Sequence, residues 1–89
     1  MHAVVVKVSI QDVERGEAML REQVVPRVSQ APGFVAGYWT RADDNGLSMI
    51  ILESEDAARA VADRLESEGL PNDFVTVDGI EVREVVANA

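Results

Sequence analysis

The sequence predicts an α+β fold of the ferredoxin-like kind, βαββαβ, with a four-stranded antiparallel sheet carrying two helices on one face. Three observations predict it. Val- and Ile-rich segments with a two-residue period stand near both ends of the chain. Two longer segments instead carry apolar residues at three- and four-residue spacing. Between those segments, Asp43-Asp44-Asn45-Gly46 joins two further β-rich runs in the manner of a hairpin turn.

The first strand is read at residues 3–10, with Val4, Val6, Val8 and Ile10 on one face and Ala3, Val5, Lys7 and Ser9 on the other. Asp12 offers an N-cap oxygen. From Val13 the period becomes helical through Gly16, Leu20, Val24 and Val28, to about Ser29. Glu17 and Arg21 form an i,i+4 pair on the polar side. Pro26 interrupts this pattern, because it has no N–H for the carbonyl of Glu22, and should kink the helix or convert its last turn. Pro32-Gly33 ends it.

Strands follow at Phe34 to about Ala42 and Leu47 to Glu53, with Asn45-Gly46 expected at the φ > 0 positions of a type I′ turn. Ser54 caps the second helix, whose small-residue stripe (Ala57, Ala58, Val61, Ala62, Leu65) suits close packing on a sheet. Gly69 is placed at C′, with Pro71 after it and Asp73, Asp78 and Gly79 in the turn region. The last strand is expected at 80–86, and 74–77 fits either a short strand or the connection.

Two helices cover one sheet face, so the other should be polar. Yet apolar residues fall on both. Val4, Val6, Val8, Ile10, Met49, Ile51, Ile80 and Val82 are expected on the helix side, and Val5, Val35, Trp39, Ile50, Leu52 and Val85 on the uncovered side. The assumed turn groups Trp39, Arg41, Ile50 and Leu52 on that second face. An apolar face of this kind marks an interface, and the simplest cover is a second copy packed sheet to sheet. A homodimer is therefore expected.

Composition bounds the function. At 89 residues the chain is read as one domain, 1–89, which buries only about 60–65% of its unfolded surface. With 16 acidic and 8 basic side chains the net charge is −8, which argues against nucleic acid as a partner. No cysteine and one histidine leave no metal site to expect. No targeting segment or membrane helix is read, so a cytoplasmic location is expected.

This layout, with APGF leading into the second strand and ILESEDAARA running from the third strand into the second helix, resembles the dimeric α/β-barrel superfamily, which includes the antibiotic-biosynthesis-monooxygenase-like domains. The resemblance implies two facing sheets and, in each protomer, a cavity lined by the face that helices leave open. Members include cofactor-free oxygenases of aromatic polyketides and haem-degrading enzymes. These commonly use an Asn on the first strand, a Trp before the second helix and a His on that helix. Here Lys7 and Ser9 stand on the first strand, Leu52-Glu53-Ser54 replaces Trp-Glu-Ser, and the second helix has no His. No catalytic residue carries over, and no cofactor is expected.

The candidate ligand-binding residues are Trp39, Arg41, Lys7, Leu52 and Arg83. Trp39 and Arg41 could stack a flat organic ligand and pair its carboxylate or enolate. Alternatively, Trp39 fills a sheet–sheet interface and Arg41 makes an intersubunit ion pair. Lys7 is a cavity cation or a partner for Glu81 or Glu84, and Arg83 lies on the same face. His2 sits at a strand end, turn chemistry accounts for Asp43, Asp44 and Asn45, and Gly33–Gly37 has no phosphate-loop sequel. Two functions are compatible with these residues: a small-molecule binder acting as a monooxygenase-like enzyme on an aromatic or polyketide-like compound, or a ligand-binding or interaction module without activity.

Overall fold

The computed structural model describes residues 1–69 and 74–89, and its elements follow the expected order. Strands β1 (His2–Ile10), β2 (Phe34–Ala42), β3 (Asn45–Leu52) and β4 (Val75–Glu84) form one sheet in the order β2-β3-β1-β4. All neighbours are antiparallel. The first helical stretch consists of α1 (Val13–Met19), a π-helical turn (Leu20–Val24) and α2 (Val25–Ser29), and α3 spans Glu55–Glu68. Asp12 caps α1 by accepting from the Arg15 N–H at 3.1 Å, and Ser54 caps α3 through the Ala57 N–H at 3.1 Å. Gly69 follows α3 with φ +67°. Pro71 and Asp73 lie outside the described residues. No helix among the described residues is long and apolar enough to cross a membrane.

The π turn is the structural answer to Pro26. The helix widens one turn ahead of the proline, where the Val25 N–H donates to the Leu20 carbonyl five residues back. Pro26 then falls at the start of α2, where its missing N–H is least needed.

The hairpin turn lies two residues earlier than expected. Ala42 pairs with Asn45, so the loop is Asp43-Asp44, and Asp43 takes the left-handed conformation at φ 55°. Asn45 and Gly46 belong to β3. Gly46 is needed there for space: a Cβ at this position would lie 2.5 Å from Cγ2 of Val8, its cross-strand partner. Gly46→Ala should therefore destabilise the fold by about 1–3 kcal/mol through overpacking against a stiff β-branched side chain, read as a lower denaturant midpoint at unchanged slope.

The last strand also differs from expectation. It is continuous from Val75 to Glu84, so 74–77 is largely strand and Val85-Val86 lies beyond it. Pairing runs Lys7↔Gly79 and then Val8↔Val77, which leaves Asp78 as a bulged residue. Its carboxylate accepts a hydrogen bond from the Ser9 hydroxyl at 2.6 Å.

The two faces of the sheet differ most from expectation. Val4 stands opposite Ile50 on one side and Val82 on the other, and Val6 stands opposite Ser48, which is itself opposite Trp39. Directly opposed residues share a face. Trp39, Arg41, Ile50 and Leu52 therefore do share one, but it is the helix-covered face, whereas Met49 and Ile51 lie on the uncovered one. The core sits between that face and the helices: Val4, Ile50 and Leu52 are fully buried against Val28 and against Ala58, Val61 and Ala62 of α3.

Candidate functional site

A cavity of about 340 Å³ lies between the first helical stretch and the sheet. Val6, Ser48 and Ile50 form its floor, Met19, Leu20 and Val24 its roof, and Trp39 and Arg41 stand at its β2 side. Local sequence makes the space. α1 approaches the sheet closely where Gly16 has no side chain, since a Cβ there would lie 3.3 Å from Ile10 Cγ2. Beyond it the helix widens into the π turn, while Gly46 and Ser48 contribute little bulk from below. Gly37 lets the Trp39 ring lie along β2, because a Cβ would come within 2.6 Å of its Cη2. A second cleft of about 50 Å³, between α2 and α3, has room for little beyond water.

The polar groups gather at one end. Arg41 donates from Nε to Glu17 Oε1 at 3.1 Å and from Nη1 to the Asp43 carbonyl at 2.7 Å. Arg21 Nη2 stands 3.7 Å from the other Glu17 oxygen. Glu17 is thus shared by two arginines, and the group carries a net positive charge on a chain of net charge −8. The Arg41 and Glu17 side chains are 40% and 39% exposed, so their ion pair is worth no more than about 1 kcal/mol. It can be rearranged at low cost.

The structure separates the five candidate residues. Trp39 and Arg41 come together at the cavity. Leu52 is on the same face but fully buried in the core, away from the cavity lining. Lys7 and Arg83 point from the opposite, uncovered face, because Lys7 alternates with Val6 and Val8, and Arg83 with Val82. Arg83 binds Glu81 through Nε and Nη2, both at 2.8 Å. That hydrogen bond first, then the charges of Arg83 and Lys7, holds the Glu81 carboxyl below the usual carboxylate range. His2 stands opposite Leu52 at the far end of β1, its Nδ1 buried without a hydrogen-bond partner among the described residues. No group of three or more His, Cys, Asp or Glu among the described residues is placed to hold a metal ion.

Sequence reasoning missed Glu17, Arg21, Ser48 and the π-turn residues. The signal was present in Pro26, since a helix forced out of regular geometry is a common marker of a site.

No protein-family model matches this chain, and no curated protein does. Among solved structures it is similar to a crystal structure of a MhuD point mutant with two manganese protoporphyrin IX bound per active site, at TM-score 0.67 and 15% identity over 100% of this chain and 98% of that one. It is also similar to the haem-degrader MhuD from Mycobacterium tuberculosis with two haems in its active site, at TM-score 0.55 and 19% identity over 97% and 98%. At these identities the likeness shows the fold alone, a ferredoxin-like α+β architecture.

Proposed function

We propose that this chain is a small-molecule-binding protein of the dimeric α/β-barrel type, taking a flat, largely apolar organic compound between its first helical stretch and its sheet. The observation that carries this reading is the 340 Å³ cavity with Trp39 on its wall and two arginines at its polar end. Its volume lies at the low end of the range for ligand pockets, and apolar walls with a few convergent polar groups are their usual make-up. An aromatic or polyketide-like compound fits this chemistry: its ring faces Trp39 and the aliphatic walls, and its acidic group meets the arginines.

Haem is a poorer fit. Haem iron is held by His, Cys, Met or Tyr. Among the described residues the cavity lining holds one residue of these types, Met19, which serves as a haem ligand beside a His, and the sole histidine of the chain, His2, stands at the opposite end of β1. The lining carboxylate, Glu17, is engaged by two arginines, which favours binding over proton transfer. Trp39 is the single tryptophan, so the test is direct. Titration with N-phenylnaphthylamine, a neutral aromatic probe, should quench Trp39 fluorescence saturably at micromolar concentration. Absence of saturable quenching overturns the reading.

We further propose that a second copy covers the open sheet face. Met49 stands opposite both Val5 and Tyr38, and Leu47 lies beside them; Tyr38, Leu47 and Met49 are 64%, 40% and 43% exposed. A patch of this kind supports association. Sedimentation velocity at tens of micromolar should give a dimer, and Met49→Glu should give a monomer by placing a charge in the interface. A monomeric wild type contradicts the proposal.

A further inference from the structure

We infer that Glu17 is an internal occupant of the ligand's anion site, and that the ligand is an apolar molecule bearing one carboxylate or similar anion, which displaces Glu17 from Arg41. The inference rests on the cavity being the ligand site, as proposed above. Arg41 offers two nitrogens, Nε and Nη2, along one edge of its guanidinium, a fork that matches a carboxylate with two parallel hydrogen bonds. Glu17 uses this edge incompletely. Oε1 takes Nε at 3.1 Å, its other oxygen turns toward Arg21 at 3.7 Å, and Nη2 makes no hydrogen bond among the described residues.

The remainder of Arg41 is held in place. Its Nη1 donates to the Asp43 carbonyl at 2.7 Å, which ties the guanidinium to the hairpin turn whether or not Glu17 is bound. The fork is therefore oriented by the backbone rather than by the carboxylate it would exchange. Glu17, by contrast, is on α1 immediately after Gly16 and keeps Arg21, four residues on, as a second partner. When a ligand anion takes the Arg41 fork, Glu17 remains neutralised by Arg21. The exchange leaves no unpaired charge, and the two arginines then face two anions. A neutral ligand gains nothing from this arrangement, so the site selects for a single negative charge beside an apolar body.

Two probes with the same arylamine body distinguish the cases: neutral N-phenylnaphthylamine and its anionic counterpart, anilinonaphthalene sulfonate. Both are titrated against the full chain, with Trp39 quenching as the readout. Glu17→Gln should tighten the anionic probe about fivefold, the scale of one partly exposed ion pair, and leave the neutral probe within about twofold. Arg41→Gln should weaken the anionic probe about tenfold and spare the neutral one. Glu14→Gln, which removes an exposed charge from the same helix, should alter neither. Weaker anionic binding in Glu17→Gln would make Glu17 a positioning residue for Arg41 and overturn the inference. So would equal tightening in Glu14→Gln, which would reduce the effect to net charge. If neither probe binds the wild type, the cavity reading itself falls, and this inference with it.

Discussion

Leu52→Ala should lower stability by about 3 kcal/mol, within the range for emptying a fully buried leucine site. In a chain of this size that corresponds to a melting temperature lower by roughly 12–24 °C. Leu52 has no solvent exposure and packs with Val4, Ile50 and Ala58, where strands β1 and β3 meet α3. Backbone shifts can refill such a site only in part, because a sheet and a capped helix frame it. The matching substitution on the other face is Met49→Ala. Met49 is 43% exposed in the protomer, so its loss should cost under about 1 kcal/mol in dilute protein and more as concentration rises and a second copy covers it. The Leu52→Ala loss should not depend on concentration. Chemical denaturation of both variants at two protein concentrations reads this contrast. A small Leu52→Ala effect beside a large Met49→Ala effect in dilute protein would reverse the faces.

Ser48→Phe should abolish micromolar binding of N-phenylnaphthylamine, weakening it more than tenfold, a loss of more than about 1.4 kcal/mol. Ser48 is half-buried on the cavity floor, with Val6 and Trp39 as its cross-strand neighbours. A benzyl group there has only the cavity to enter. Because it buries apolar surface in existing space, the variant should stay folded with a melting temperature at or above that of the wild type. That combination separates occlusion from unfolding. Affinity within twofold of wild type would place the ligand elsewhere, the uncovered face being the alternative.

Local chemistry made most of the fold legible. Asp12 and Ser54 are caps because a short side-chain oxygen precedes a helical period, and both act as such in the structure. Ala57, Ala58, Val61 and Ala62 lie at the spacing of one helix face, and that face is the one packed on the sheet. Pro26 announced an irregular helix, though not that its cost would be met by a π turn rather than a kink. The hairpin shows where such reasoning ends. The shift from Asn45-Gly46 to Asp43-Asp44 moves the loop by a whole two-residue unit, so the strand period keeps Trp39, Arg41, Ile50 and Leu52 together. Which side of the sheet they occupy is fixed by the pairing of Ile50 with Val4, a contact between residues 46 positions apart that no local pattern encodes. The same limit hid the cavity. It lies where the π turn stands over Val6, Ser48 and Ile50, residues distant from it in sequence, while Glu17 and Arg21 read simply as a helix-surface pair.

The proposed function has the ligand entering between the first helical stretch and the sheet, beside Trp39. Methyl NMR of the chain titrated with N-phenylnaphthylamine tests it most directly, since aromatic ring currents shift only nearby methyl groups. Shifts are expected at Val6, Leu20, Val24 and Ile50, with Val5, Leu47 and Ile51 unmoved. Shifts confined to Val5, Leu47 and Ile51 would contradict it and move the site to the open face of the sheet.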